Sequence, residues 1–370
     1  RKSDHYFFKL SQFTEQLRSW LNGNVNLQSE VRNYVLRWVE GGLQDWDITR
    51  DIPWGVPIPR EDVKASLYLW FDNHLCYIST ALKVLQGRSL DGKSFWNSAK
   101  LYHFIGKDIV YHHYLFLPAM RLGVGEYKLP DYLPTRGHIM LQGKKFSKSR
   151  KWYISLREFL ASFPADYLRY YLCAITPYSQ VDVNFDWDDF EGRINNELVA
   201  NIGNFIHRAL TFIDTRFGGE VPAPTDYDSD DREHEAALLS TAGKVEGKLG
   251  EIEIEKALKA IVELTSLCNQ YFQRKKPWAD AEVARTCLYL SCNAVRILAI
   301  LLEPFVPNSA ETLWTQLNQP GSVHDARWHE ASQLLIRAGH RIQKPKVLFR
   351  KIEPQEIQRQ KDKLGRSHPP

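Results

Sequence analysis

Cysteine is scarce in this sequence. The five residues, Cys76, Cys173, Cys268, Cys287 and Cys292, form no C-x-x-C pair, and their number is odd. That excludes a disulfide framework and a zinc knuckle built from this chain, and it predicts free thiols in a reducing cytoplasm. Long apolar runs are missing too. No stretch of 18 consecutive apolar residues occurs, so no membrane-spanning helix is expected. Neither sign of charge dominates: 48 Lys and Arg face 44 Asp and Glu, a net charge of +4. Such a surface permits an anionic partner without requiring one. There is no internal repeat of fixed period. The opening residues, R-K-S-D-H-Y-F-F-K-L, show neither an initiator Met nor a signal-peptide pattern, as in a chain entered midway.

What is present suits a folded protein. A length of 370 residues predicts two or three domains. With 44% hydrophobic and 12% aromatic residues, the chain has material for real cores. Residues 10–41 carry apolar side chains at helical spacing (Phe13, Leu17, Trp20, Leu21, then Val31, Tyr34, Val35, Trp38) and end at Gly41-Gly42. Pro53, Gly55, Pro57 and Pro59 make 43–60 a shaped loop. S-L-Y-L-W-F-D (66–72), L-Y-H-F-I (101–105) and R-G-H-I-M-L (136–141) read as β runs. A helix is expected from the first run to about Gln86, and another over 109–122. Strand, glycine turn and helix form the α/β unit whose ligands bind beyond the carboxyl ends of strands.

After Trp187 the pattern changes. Residues 190–217, 233–249, 253–275, 281–302 and 307–317 all show helical spacing, with prolines 222, 224, 277, 304 and 307 at the breaks. This predicts an all-α bundle. The acidic 226–231 stretch reads as a solvated loop, and K-V-L-F-R-K-I in the tail as strand-like.

The most informative local pattern is K-K-F-S-K-S (144–149). Lys145 and Lys148 stand among the small hydroxyl residues Ser147 and Ser149, between a β run and a helix. Two ammonium groups on a mobile loop suit a triphosphate whose charge shifts as a P–O bond breaks. As an isolated string, a solvated basic loop would be the simpler account. Its position after a β run and before an α bundle favours the phosphate role.

K-F-S-K-S resembles the second signature of class I aminoacyl-tRNA synthetases, with Phe146 where Met is usual. The likeness extends, in order, through G-L-Q-D-W-D-I-T-R-D (42–51), W-F-D (70–72), F-I-G-K-D-I-V-Y-H-H (104–113), P-A-D-Y-L-R-Y-Y-L (164–172) and N-E-L-V-A-N-I-G-N-F-I-H-R (196–208). Together these resemble the methionyl-tRNA synthetase family, archaeal and eukaryotic types most of all. The resemblance implies an α/β fold, the C-terminal half of a Rossmann-type catalytic domain, followed by an all-α anticodon-binding helix bundle. The expected divisions are 1–130 for the catalytic half, 131–187 for the lysine-loop region, 188–335 for the bundle, and 336–370 for a tail that packs back and then becomes a linker.

The resemblance also implies roles. Trp70 and Tyr77 would wall an amino-acid pocket, where aromatic rings suit a polarizable thioether. Ile109 and His113, i and i+4 on one helix face, would line it. Asp108 would meet the adenosine ribose. Lys145 and Lys148 would be catalytic, with Phe146, Ser147 and Ser149 completing the ATP-binding loop. Asn204 and Arg208 would read anticodon bases beside a stacking Pro277-Trp278 pair. Gln273, Arg274, Lys275 and Lys276 would attract phosphates. Asp47, Arg50 and Asp72 are weaker members of the set, and His112 reads as packing.

The implied activity is ATP-dependent activation of methionine and its transfer to tRNA(Met), with Mg2+ accompanying the ATP. Zinc is expected only in an insertion that this chain lacks. The expected setting is cytoplasmic, with no membrane partner. Three departures stand out. No H-x-G-H occurs, so the chain reads as a fragment that awaits an N-terminal remainder and that alone does not activate methionine. Asn73, His74 and Cys76 interrupt the segment between Trp70 and Tyr77, where the family usually has Ala, Pro and Gly. Lys151-Trp152 replaces a usual Gly-Thr, which predicts a stiffer loop. A class I synthetase for valine, leucine or isoleucine, and a non-catalytic tRNA-binding fragment, remain the alternatives.

Overall fold

The computed structural model describes residues 5–60 and 62–365. The chain divides into two compact units: residues 1–138 with 179–181, and residues 139–178 with 182–370. The sequence-based divisions at 187/188 and 335/336 both fall inside the second unit.

In the first unit the helices Thr14–Gly23 and Ser29–Glu40 bury Leu17, Leu21, Val31, Val35 and Val39 on one stripe. These pack in a core with Leu10, Ile105, Val110, Tyr114, Leu115 and Leu133. The strands are short. Phe7–Phe8 pairs antiparallel with Trp46–Asp47, and Thr49–Arg50 pairs antiparallel with Ser66–Leu67. Two short strands thus lie in the segment read as a shaped loop. Ile105–Gly106 pairs in parallel with Thr135–Arg136, the one parallel strand pair of this unit among the described residues.

Two expectations change here. The run 66–72 is a strand only over Ser66–Leu67. Tyr68 is extended, and the chain then turns helical through Leu69–Asp72, a 3-10 turn Asn73–Leu75 and the helix Cys76–Gln86. The run 136–141 splits between units. Thr135–Arg136 stays in the first, whereas Ile139–Leu141 forms the centre of a three-stranded sheet in the second. The helix expected over 109–122 is three pieces: a 3-10 turn Lys107–Ile109, a π-helical turn His112–Phe116, and the α-helix Leu117–Val124, which ends on the left-handed Gly125.

In the second unit Ile139–Leu141 pairs antiparallel with Lys144–Lys145 and in parallel with Val183–Phe185. Leu156–Ser162 and Ala165–Ile175 lead to a bundle whose long members are Asn204–Phe217, Ser229–Gly250, Ile254–Lys275 and Ala281–Leu302. Ala281–Leu302 is the axis of the core. Its most apolar 18-residue stretch is 89% buried, which makes it a core helix despite its length and hydropathy.

The acidic stretch near 228 is a helix start, not a solvated loop. Asp228 and Asp231 form a capping box on Ser229–Gly250, and Asp231 is only 2% exposed. The tail segment 346–352 forms no strand. Phe349 and Ile352 are instead buried in the bundle core, and the helix Pro354–Lys363 follows. Gly203 makes room for this tail: a Cβ there would meet the Phe349 ring at 3.2 Å. All five cysteines are free, and burial raises the Cys287 and Cys292 thiols to about 12, which makes them inert packing groups.

Candidate functional site

Three arrangements hold the residues singled out from the sequence. The first lies within the first unit. Its helical segment 69–86 presents Trp70 and Tyr77 to the π-helical turn that carries His112 and His113. Trp70 stacks on His112, with centroids 4.7 Å apart and planes 27° apart. The Tyr77 hydroxyl lies 3.0 Å from His113 Nε2. His113 Nδ1 meets the Ile109 carbonyl at 3.1 Å. A carbonyl only accepts, so the proton of the neutral ring sits on Nδ1. Nε2 is then an acceptor, and the Tyr77 hydroxyl must donate to it. The structure thus brings Trp70, Tyr77, Ile109 and His113 into one region, with Ile109 acting at this point through its backbone.

Sequence reasoning missed the company they keep. His112, read as plain packing, is the ring that Trp70 lies on. His74 sits 5.3 Å from His113 and 5.5 Å from His112, ring to ring. His103 lies 4.7 Å from Tyr77. Burial, the largest effect on each, pushes His74 and His103 down to about 3 and His113 to about 4; the like charges of their neighbours add to it. Burial also lowers His112. Four neutral imidazoles therefore stand among the Trp70 and Tyr77 rings without adding a charge of their own. His103 stands in L-Y-H-F-I and His74 in N-H-L-C. Only a pairing of these distant segments shows that they meet.

Asp108 stands at an exposed position in the 3-10 turn, with His138 Nε2 3.9 Å from its carboxylate. Gly106 lets the carboxylate fold back over the chain, because a Cβ at that position would be 2.5 Å from Asp108 Oδ1. No side-chain cap closes this turn. Asp47 pairs with Arg50 at 3.0 Å, and the Arg50 guanidinium lies 3.8 Å over the Tyr68 ring. Asp72 Oδ1 is buried without a hydrogen-bond partner among the described residues.

The second arrangement is the lysine segment, in the second unit. It is a closed hairpin rather than an open loop. The Ser147 and Trp152 backbones exchange hydrogen bonds of 2.8 and 2.9 Å, and Lys148 and Ser149 occupy the tip. Ser147 Oγ lies 3.2 Å from Ser149 Oγ and accepts from the Arg150 amide. Lys151 takes φ of 54°, a left-handed position that favours glycine. Trp152 anchors the base: its indole donates to the Leu141 carbonyl at 2.9 Å, and Lys144 lies over its ring. Lys145, Phe146 and Lys148 project into solvent, and neither lysine forms an ion pair among the described residues.

The third arrangement, also in the second unit, is an open groove of about 880 Å³ between Asn204–Phe217 and Ile254–Lys275. Asn204 is exposed at its edge. The Arg208 guanidinium lies 4.9 Å over the Phe272 ring and 5.8 Å from the Trp278 ring centroid. Trp278 is half-buried, and its carbonyl accepts from Arg216 at 2.9 Å. The helix ends at Lys276, whose left-handed φ of 44° turns the chain so that buried Pro277 carries Trp278 back beside Arg208. Asn201 and Asn269 cross-link the two walls at 2.9 Å. One expectation fails: Lys275 does not face phosphates. Its ammonium binds Asp228 at 2.7 Å and Asp231 at 2.8 Å, with its side chain 8% exposed.

Comparison with known proteins identifies the family. The family model for class I tRNA synthetases (M) matches residues 1–210, and that for the anticodon binding domain of methionyl tRNA ligase matches residues 221–368. Methionine--tRNA ligase of Methanopyrus kandleri is 40% identical over 98% of this chain and 54% of its own length. That of Methanosphaera stadtmanae is 38% identical over 98% of this chain and 56% of its own. Among solved structures, Mycobacterium tuberculosis methionyl-tRNA synthetase in complex with methionyl-adenylate superposes with a TM-score of 0.85 at 28% identity, over 94% of this chain and 69% of that one. The chain spans about half the length of the curated relatives it matches. With its first 210 residues fitting that family model, the chain belongs to the class I tRNA synthetases of the methionyl group.

Proposed function

We propose that this chain supplies the methionine pocket, the phosphate-facing lysines and the anticodon reader of a methionine--tRNA ligase (EC 6.1.1.10). The observation that carries the reading is the neutral aromatic pocket. Trp70 stacked on His112, and Tyr77 bonded to a neutral His113, offer polarizable walls without charge, which suits a thioether side chain. The relatives' printed activity and the adenylate held by the tuberculosis enzyme support the same chemistry.

In this reading the methionine carboxylate attacks the α-phosphorus of ATP. A new P–O bond forms as the α–β bond breaks, and pyrophosphate leaves. Lys145 and Lys148, exposed and unpaired, stabilise the charge that grows on the leaving phosphates. Phe146, Ser147 and Ser149 shape the hairpin that presents them. The exposed Asp108 carboxylate accepts hydrogen bonds from the ribose. A ribose hydroxyl at the end of tRNA(Met) then attacks the methionyl carbonyl, and AMP leaves. Asn204 and Arg208 bond base edges while Trp278 stacks on one anticodon base, Pro277 holding it in place. Mg2+ would accompany the ATP phosphates. The setting is the cytoplasm.

Aminoacylation by the full-length protein tests this. Charging of a methionine-accepting tRNA is expected, with at least a hundredfold loss when its anticodon is replaced. Equal charging of both tRNAs removes the anticodon assignment, and no charging with methionine removes the function.

A further inference from the structure

The first unit contains a cavity of about 520 Å³. It lies between the helix Cys76–Gln86 and the helix Leu117–Val124, with walls that include Phe71, Ile78, Leu82, Leu117 and Met120. Four residues with polar groups interrupt these walls, Ser79, Tyr127, Arg121 and His74, and the last two are each only 4% exposed. Nη2 of Arg121 and Nε2 of His74 are buried, and neither has a hydrogen-bond partner among the described residues. The guanidinium is otherwise held in place: Nη1 donates to the Lys128 carbonyl at 3.3 Å, and its carbon lies 4.8 Å over the Trp96 ring. No Asp or Glu stands among the described lining residues.

A buried cation without a counter-charge is costly, as is a buried donor without an acceptor. Burial lowers even the Arg121 guanidinium, to about 10. One occupant answers all three features: an apolar body for the walls and an anionic acceptor for the two donors. We propose that this cavity binds a small apolar carboxylic acid, its carboxylate set between Arg121 and His74 and its chain along Leu82, Leu117 and Met120. A volume of this size suits a chain of about eight carbons. The cavity shares His74 with the aromatic cluster around His113, but the inference does not depend on that cluster taking methionine.

The chain has two methionines, Met120 in the cavity wall and Met140 in the three-stranded sheet of the second unit. That makes methyl NMR the natural test. In full-length protein labelled at methionine methyls, the signals of these two residues are picked out from any others by their loss in Met120→Leu and Met140→Leu. Sodium octanoate is expected to shift the Met120 signal saturably and leave Met140 in place. Octanol, with the same chain and no charge, is expected to bind at least about tenfold more weakly, a difference of about 1.4 kcal/mol. Ile78→Trp, which fills the cavity, is expected to abolish the response while Met140 keeps its position. No saturable shift of Met120, equal affinity for octanol, or an undiminished response in Ile78→Trp overturns the proposal.

Discussion

The Tyr77 hydroxyl donates a hydrogen bond to Nε2 of His113, 3.0 Å away, and the Ile109 carbonyl, 3.1 Å from Nδ1, fixes the tautomer of this histidine, which is only 1% exposed. Tyr77→Phe leaves Nε2 without its donor, which costs about 1–3 kcal/mol. In pyrophosphate exchange by the full-length protein, kcat/KM for methionine is expected to fall roughly tenfold to a hundredfold. An unchanged value would detach this pair from the amino-acid pocket.

Acid should weaken the first unit selectively. His74, His103 and His113 titrate near 6.5 when unfolded and at about 3, 3 and 4 when folded. Below pH 6.5 the unfolded chain therefore binds more protons than the folded one, and stability falls as pH falls toward 4. The expected loss is on the order of 1–2 kcal/mol per histidine between about pH 7 and pH 5. Among the described residues the second unit holds one comparable histidine, His234, at about 4. Amide exchange at pH 7 and pH 5, corrected for intrinsic rates, should show residues 101–124 losing more protection than the helix Ala281–Leu302. Equal loss in both segments contradicts this.

The lysine hairpin carries a conformational signature. At Lys151, φ of 54° suits glycine and penalises a β-branched residue. Lys151→Gly should change stability by less than about 1 kcal/mol, because relieved strain offsets added chain entropy. It should also speed exchange of the Trp152 amide, which closes the hairpin onto the Ser147 carbonyl. Lys151→Val should cost about 1–2 kcal/mol, read from a urea midpoint. Equal stability of the two variants would contradict the left-handed geometry.

In the groove, stacking and charge are separable. Trp278→Ala should weaken binding of the anticodon stem-loop about tenfold to a hundredfold with little change in its salt slope. Arg208→Met should lower that slope by about one. Lys275→Met should leave the slope alone, since this lysine is bound to Asp228 and Asp231, and should destabilise the bundle by about 3–5 kcal/mol. Filter binding across a salt series and a denaturant melt distinguish these outcomes; a slope change in Lys275→Met contradicts the buried pairing.

The bundle was legible in the sequence because helices of 14 to 22 residues repeat the 3.6-residue pattern several times. The short strands were not. The seven residues 66–72, five of them apolar or aromatic, fit strand and helix equally well, and the switch after Tyr68 is fixed by packing on residues far away in the chain. The pocket was half legible. Trp70, Tyr77 and His113 lie in segments that resemble the family, but His74 and His103 come from separate segments whose meeting no local pattern records. Lys275 was misread for the same reason: its carboxylate partners lie 47 and 44 residues earlier.

The account turns on whether this pocket selects methionine. The decisive measurement is pyrophosphate exchange by the full-length protein with methionine, valine, leucine and isoleucine offered in turn, repeated with Trp70→Ala. The account predicts exchange with methionine at least a hundredfold above the others, lost in Trp70→Ala. Comparable exchange with a branched aliphatic amino acid, or a Trp70→Ala variant as active as the parent, would contradict it.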